Sequence, residues 1–495
     1  MASRRFHKVL AGQWLLPGLL GVCIARLWLV PISSSFWVDE LETLFVAAHP
    51  DDPSLGSARP AFQSIYYWLP RAAHALTGGS EISYRLPSVL AMAIALGLIA
   101  LLARRLIHPC AGWFAVFACL ALPGIDYHAI DARPYALGIM TAAASLFFLV
   151  KWLASGRWRD ALLFTVFAAM VWRVHLVYWP FYAVMALYAI SRLLSGNTPV
   201  RWRQWAAVAV AVLLALVPPG RDALAMARDA RAHVIVPLPK PHVVLRLLQW
   251  PFPLLCGAAA WLFGKWRGWR APGWRTGWTA LVLIVTWWLC QPVLLYLYSR
   301  ITGNSLYVDR YLSIMLPGLA LTATALVACR LPAEKWRLAA FCMALTALAL
   351  QGHWETATWR HDQSDWRSAA LEVNRFTALA SGRNTPVIVP SPFVEARPPV
   401  WYPAYPLPGF LYSHLEGYPI RGKLYLFPFE GADGLRYAGD LARGAFAGTK
   451  RFAIYGGAGN VRFWRQWFSA RPEFAGWSNR SLRFGDVGVA EFQKR

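Results

Sequence analysis

Long apolar runs, separated by short polar or basic stretches, fill the first 352 residues. A helix that crosses a bilayer needs about 20 mostly apolar residues, and the chain offers such runs in series. The first extends from about Val9 to Ile32. Further spans are predicted at about 86–106, 111–125, 135–151, 161–178, 180–194, 205–219, 250–264, 278–298, 311–329 and 336–352, about eleven in all. Tyr178-Trp179-Pro180 hinges the fifth against the sixth. The start, Arg4-Arg5-Phe6-His7-Lys8 followed by an apolar run, reads as a retained first span: the run is long enough to cross, and no small-residue cleavage site follows it.

Between the spans the pattern is less uniform. The loop at 33–84 is too apolar to be simply solvated, and Leu41–Ala48 and Phe62–Leu76 read as short helices lying on the membrane surface. A polar loop is expected from Arg221 to about Gln249, holding Arg228, Arg231, His233, Lys240 and His242. After residue 353 the periodicity changes. Thr385–Pro390 and Arg451–Gly457 read as buried strands bounded by turn formers, Asp365–Ala378 as an amphipathic helix, and Pro398–Phe410, rich in Pro, Tyr and Trp, as an ordered loop. The predicted architecture is a multi-span α-helical membrane domain over 1–352, with a long first outer loop at 33–84, and a small C-terminal α/β domain over 353–495.

Composition agrees. The chain is 57% hydrophobic and 15% charged, against about 25% charged in soluble domains. Its net charge of +24 invites a nucleic-acid reading, but the basic residues sit in short clusters between apolar runs, where topology signals belong. The clusters at 4–8, 104–105, 151–159, 192–203, 265–275 and 330–337 fall on one side of eleven alternating spans. The positive-inside rule makes that side, and the N-terminus, cytoplasmic. The loops at 33–84, 126–134, 221–249 and 299–310, and everything after 353, then lie outside, as expected of a bacterial inner-membrane protein with a periplasmic C-terminal domain. All seven cysteines lie in or beside apolar runs and none follows Cys342, so the last third carries neither a disulfide framework nor a zinc–thiolate site.

Several residues could carry chemistry. Asp39 and Glu40 follow the first span in Trp37-Val38-Asp39-Glu40. Acidic residues at a helix start can simply satisfy its dipole; two at the mouth of a span can also be catalytic. The outer turn Asp126-Tyr127-His128-Ala129-Ile130-Asp131-Ala132-Arg133-Pro134-Tyr135 adds Asp131 and Arg133, which could pair with each other or act on a substrate. Arg310 and Tyr311 stand at the outer mouth of the tenth span, Arg310 as a snorkelling anchor or a phosphate clamp. Arg173 and His175 lie late in the fifth span, where an arginine needs a partner. Lys240 and its loop neighbours are further anion-binding candidates.

These motifs, in this order, resemble GT-C fold glycosyltransferases, and more narrowly the glycosyltransferase 39-like group, which includes protein O-mannosyltransferases and bacterial aminoarabinose transferases. Trp37-Val38-Asp39-Glu40 resembles that group's first acidic loop motif. Asp131-Ala132-Arg133-Pro134-Tyr135 resembles its second outer-loop motif, and Ser80-Glu81-Ile82-Ser83-Tyr84-Arg85-Leu86-Pro87-Ser88 the start of its second span. Arg310-Tyr311 with Leu316-Pro317, and Asp365-Trp366-Arg367, resemble its late-span signature and the start of its outer domain. The sequence departs from the group where many relatives carry a His-Pro-Pro-Leu-Tyr-like segment: here stands Ala58-Arg59-Pro60-Ala61-Phe62, with His49-Pro50 earlier.

The resemblance implies transfer of a sugar from a polyprenyl-phosphate donor to a glycan, lipid or protein acceptor, with inversion, at the outer face. The absence of a Gly-rich phosphate loop on a strand–helix unit fits a donor that is not a nucleotide. Asp39 would be the general base, with Glu40 and Asp131 supporting it. Arg133, Arg310, Tyr135, Tyr311, Arg173, His175 and Lys240 would bind the donor phosphate. A divalent cation at Asp39 and Asp131 is left open. The other classes to weigh are a transporter or flippase of an anionic lipid or lipid-linked sugar, against which no repeat of paired broken helices is visible, and a structural partner in envelope assembly.

Overall fold

The computed structural model describes residues 12–233, 236–270, 272–273, 276–379, 384–397 and 409–495. The basic cluster at 4–8, Arg275 and residues 398–408 of the aromatic loop lie outside the described residues, as do the side chains of Arg228, Arg231 and His233. The chain divides into two compact units. The first comprises Met1–Ile32, Gln63–Tyr66 and Arg85–Trp359; the second comprises Ser33–Phe62, Tyr67–Tyr84 and Arg360–Arg495. Most of the first outer loop, Ser33–Phe62 and Tyr67–Tyr84, thus shares a unit with Arg360–Arg495.

The first unit is helical. Among the described residues, five helices are long and apolar enough to cross a membrane: Glu81–Leu106, Tyr135–Ser155, Leu176–Leu194, Trp278–Thr302 and Asp309–Ala328. Two bent pairs, Trp202–Ala215 with Val217–Ala227 (47°) and Pro241–Leu247 with Pro251–Trp266 (48°), reach that length together. Leu15–Leu29, Trp158–Val174 and Trp336–Gln351 are shorter helices. The polar loop expected at 221–249 is instead largely helical, as Val217–His233 and Pro241–Leu247. Pro218 and Pro219 stand in the first turn of the former, where a missing N–H costs nothing, so they begin a helix rather than end one.

Tyr135–Ser155 and Asp309–Ala328 form the interior, each 78% buried. Small residues allow this: a Cβ on Gly138 would meet the Tyr178 ring, and one on Gly318 would meet the backbone of Trp287 and Trp288. Two charged side chains inside the unit are compensated, as a low-dielectric setting requires. Arg26, in the first apolar segment, donates to the carbonyls of Gly352 (2.6 Å), His353 (2.6 Å), Thr356 (2.7 Å) and Ala357 (2.7 Å). It thereby serves the carbonyls at and beyond the end of the Trp336–Gln351 helix. Buried Asp160 pairs with Lys151 at 2.9 Å.

The second unit is built on a five-stranded sheet of order β2-β1-β3-β5-β4, with β1 Pro386–Pro390, β2 Lys423–Phe427, β3 Arg451–Gly457, β4 Trp477–Phe484 and β5 Val487–Lys494. β1 runs parallel to both β2 and β3, while β5 is antiparallel to β3 and β4. Ile388 stands opposite Tyr425 and Ile454, and Phe452 opposite Phe492. The helices Leu435–Arg443 and Ala458–Ser469 contribute Leu441, Trp464 and Phe468 to a core in which the Phe452 and Phe492 rings stack 4.5 Å apart. Trp366–Ala378 begins at Asp365, whose carboxylate accepts from the Ser368 N–H at 3.0 Å.

The loop helices Val38–Ala48 and Trp68–Thr77 are held in this unit by specific bonds. Phe36 N–H donates to the Tyr418 hydroxyl (2.8 Å), which donates to Glu81 (2.7 Å). Glu81 also pairs with Arg367, and Arg367 donates to the Ser33 carbonyl (2.9 Å). His49 pairs with Glu416 at 3.0 Å, and Phe410 packs against Phe45 and Phe62.

Candidate active-site residues

In the first unit, the segment between Pro123–Ala129 and Tyr135–Ser155 carries Asp131, Arg133 and Tyr135, all buried. Ser88, one helical turn inside the Glu81–Leu106 helix from Tyr84, donates its hydroxyl to the Asp131 carbonyl at 2.6 Å, which fixes the turn. The Asp131 carboxylate faces His128, Oδ2 to Nδ1 3.8 Å. The Tyr135 ring lies between two imidazoles, 4.7 Å from His128 and stacked 5.7 Å from His175. His175 stands in the break between Trp158–Val174 and the 3-10 turn Leu176–Tyr178, where extended backbone releases its side chain from the helix. The Tyr311 ring closes on it at 5.2 Å, and the Arg310 guanidinium lies 5.7 Å from the Tyr311 ring centroid. Arg133 and Arg310 are both close enough to act on His175 electrostatically.

Residues 131, 133, 135, 175, 310 and 311 are thus gathered into one aromatic-walled cluster carrying two guanidiniums. Arg173 turns instead to the Ala215 carbonyl at 3.3 Å, and Lys240 is exposed where the Pro241–Leu247 helix begins. Asp126 has a different role from Asp131: it is buried and accepts from the Trp28 indole N–H at 2.8 Å.

In the second unit, the Val38–Ala48 helix separates the two loop acids. Glu40 is fully buried, and its carboxylate accepts the Trp37 N–H at 3.3 Å, the reach-back of a helix start. Asp39 is only half-buried. The Glu40 carboxylate also comes within 4.8 Å of the His361 imidazole, whose backbone N–H donates to Ser34 Oγ at 3.2 Å. His361 escaped the sequence reading. Its position four residues before Asp365-Trp366-Arg367 was the available signal. A carboxylate with an imidazole, at Glu40 and His361 here and at Asp131 and His128 in the first unit, is a donor set that suits a divalent ion.

Residues 64–220 match the model of the family described as dolichyl-phosphate-mannose-protein mannosyltransferase. No curated protein matches the chain by sequence. Among solved structures, ArnT from Cupriavidus metallidurans bound to undecaprenyl phosphate is similar, with a TM-score of 0.55 and 13% identity over 96% of this chain and 97% of that one. The same protein in the apo state gives 0.56 and 13% over 99% and 98%. The chain is therefore an integral membrane protein with the GT-C fold that ArnT displays.

Proposed function

We propose that the protein moves a sugar from a polyprenyl-phosphate donor to an acceptor hydroxyl or amine at the outer face of the membrane. The observation that carries this is the pair of guanidiniums, Arg133 and Arg310, around the Tyr135–His175–Tyr311 wall, in a chain whose fold is that of a protein crystallised with undecaprenyl phosphate.

The chemistry assigned to these residues is a single displacement. The acceptor's lone pair attacks the anomeric carbon, the bond from that carbon to the phosphate oxygen breaks, and its electron pair leaves with the lipid phosphate. One inversion results. Arg133 and Arg310 meet the charge that grows on the phosphate oxygens. Tyr135, Tyr311 and His175 shape the donor's surroundings, with Arg173 and Lys240 as outlying cations. Asp39 takes the acceptor's proton as general base: of the two loop acids it is the one left half-exposed, while Glu40 is committed to its own helix. Asp131, set by Ser88 and facing His128, orients the acceptor. A divalent ion, if bound, would be held by a carboxylate–imidazole pair such as Glu40 with His361, and would supply positive charge there.

The test is Asp39→Asn in purified, folded protein supplied with lipid-linked sugar in detergent, where no gradient can drive a transporter. Transfer is expected to fall by about 10²–10⁴-fold, the usual weight of a general base. A near wild-type rate would remove Asp39 from that role, and no transfer by the wild type with any polyprenyl-phosphate sugar would remove the enzyme reading itself.

A further inference from the structure

The first unit has a second feature, remote from the cluster above. An apolar cleft of about 460 Å³ opens between the Pro251–Trp266, Leu316–Ala328 and Trp336–Gln351 helices. Its volume is that of a ligand site, about 300–1,000 Å³ in general. Small residues such as Ala260 and Ala339 make the space, and Phe263, Trp269 and Cys342 line it. The hydroxyl in its wall, that of Thr346, is spent on the Cys342 carbonyl of its own helix at 2.9 Å. The lining therefore offers contact to a hydrocarbon chain and little to a polar molecule.

One end of the cleft is strongly basic. Lys265 stands in the last turn of the Pro251–Trp266 helix and Arg267 and Arg270 follow it, while Arg330 and Lys335 lie in the connection between the other two helices, with Glu334 the acid there. The cations rest on interfacial tryptophans: Lys265 over Trp261 (5.6 Å), Arg267 over Trp266 (4.7 Å) and Lys335 over Trp269 (5.8 Å). Trp269 belongs both to the cleft lining and to this rim. Arg310 and Arg330 bracket the Leu316–Ala328 helix, so at 1.5 Å per residue the rim stands on the order of 30 Å from the phosphate-binding candidates. That is about the thickness of the hydrocarbon layer.

We propose that this cleft is a binding site for an anionic phospholipid, one acyl chain lying in the cleft and the phosphate headgroup on the Lys335–Arg267 rim. A neutral lipid would use the cleft and waste the rim. A polyprenyl-phosphate donor would place its phosphate a membrane's thickness away from Arg133 and Arg310. Basic sites between membrane helices recognise anionic headgroups in this way.

The test is native mass spectrometry of the purified full chain, titrated with phosphatidylglycerol or with phosphatidylcholine of the same acyl chains. Phosphatidylglycerol is expected to bind at least tenfold more tightly. The double variant Arg267→Gln/Lys335→Gln should weaken it by about 30-fold, near the phosphatidylcholine level, from the usual weight of two basic residues at a membrane surface. Ala339→Phe, which fills the cleft, should weaken both lipids. As a readout that needs no cleft-filling variant, alkylation of Cys342 by N-ethylmaleimide in detergent should be slowed by phosphatidylglycerol. Equal affinity for the two lipids, no effect of the double variant, or unprotected Cys342 would overturn the proposal. So would displacement of phosphatidylglycerol by undecaprenyl phosphate, which would make the occupant a polyprenyl chain.

Discussion

The loop that bears Asp39 is held by the Glu81–Arg367–Tyr418 network, and the consequence can be measured. Glu81 is 17% exposed and Arg367 42%. A hydrogen bond to a charged group contributes about 1.5–3 kcal/mol, and the exposure of Arg367 places this pair at the low end through solvent screening. Glu81→Gln keeps the shape and removes the charge, so a cost of about 1.5 kcal/mol is expected for opening this corner. A factor of ten in the opening equilibrium corresponds to about 1.4 kcal/mol. Hydrogen exchange of the peptide containing Phe36, whose N–H is bonded to the Tyr418 hydroxyl, should therefore accelerate about tenfold. Arg367→Gln should act similarly, and the double variant should fall short of the sum because both changes break one bond. The network also fixes a pH dependence. Burial pushes the Glu81 carboxyl up, but the Tyr418 hydroxyl and the Arg367 guanidinium outweigh it and hold it below its ordinary value of 4.5. The stabilisation is thus complete above about pH 4.5 and is lost as pH falls through the lower folded value. Protection of the Phe36 peptide, corrected for intrinsic exchange, should decline on acidification below that point, and should not do so in Glu81→Gln. A change of less than twofold in either single variant, or strict additivity in the double, would refute the reasoning.

Arg133→Gln and Arg310→Gln should each lower kcat/KM for a lipid-linked sugar donor by about 10–100-fold, the weight of one charge-assisted contact made as the phosphate leaves; unchanged kinetics would separate these cations from the phosphate. Asp126 and Asp131 should behave oppositely. Burial pushes the Asp126 carboxyl well above the usual carboxylate range, so Asp126→Asn mimics the protonated form that burial favours and should leave transfer and melting temperature nearly unchanged, whereas Asp131→Asn should depress transfer in a protein that still melts normally. Gly485→Ala should destabilise the second unit by at least about 2 kcal/mol: Gly485 has φ +67°, and an added Cβ would strike the Gln363 carbonyl. Denaturation followed by the fluorescence of Trp464 and its neighbours would register it, and a change below about 0.5 kcal/mol would count against the close approach.

The membrane-spanning pattern was legible because burial in lipid makes whole helices apolar, a signal that needs no partner to be read. The same holds for β1 and β3, which are covered on both faces and read as continuous apolar runs. β4 could not be read that way. It is the sheet's edge, and Asn479 and Arg483 on one face and Arg480 on the other give it the exposed polar positions that an edge strand needs. Its signal was the turn Phe484-Gly485-Asp486-Val487, in which two residues close the hairpin with β5. The helices Val217–His233 and Pro241–Leu247 were missed for a similar reason: Arg221, Asp222, Lys240 and His242 make the stretch polar, and hydropathy alone does not say whether a polar stretch is loop or helix. The second-unit network was beyond any local pattern. Glu81 and Arg367 are 286 residues apart, and each was visible as part of a motif without any indication that the other was its partner.

The acidic pair shows how far composition and spacing reach. Asp39 and Glu40 are adjacent acids of nearly equal chemistry, and in the sequence either could cap the helix and either could take a proton. Successive residues on an α-helix project about 100° apart, so one helix start cannot give both the same environment. Glu40 turns inward, accepts the Trp37 N–H and lies beside His361; Asp39, one step earlier, is left half-exposed. A general base has to be reached by a substrate, whereas a group that holds a loop has to be withdrawn from one. That difference in exposure is the support for the proposal that Asp39 is the base, although Glu40 has the more elaborate surroundings.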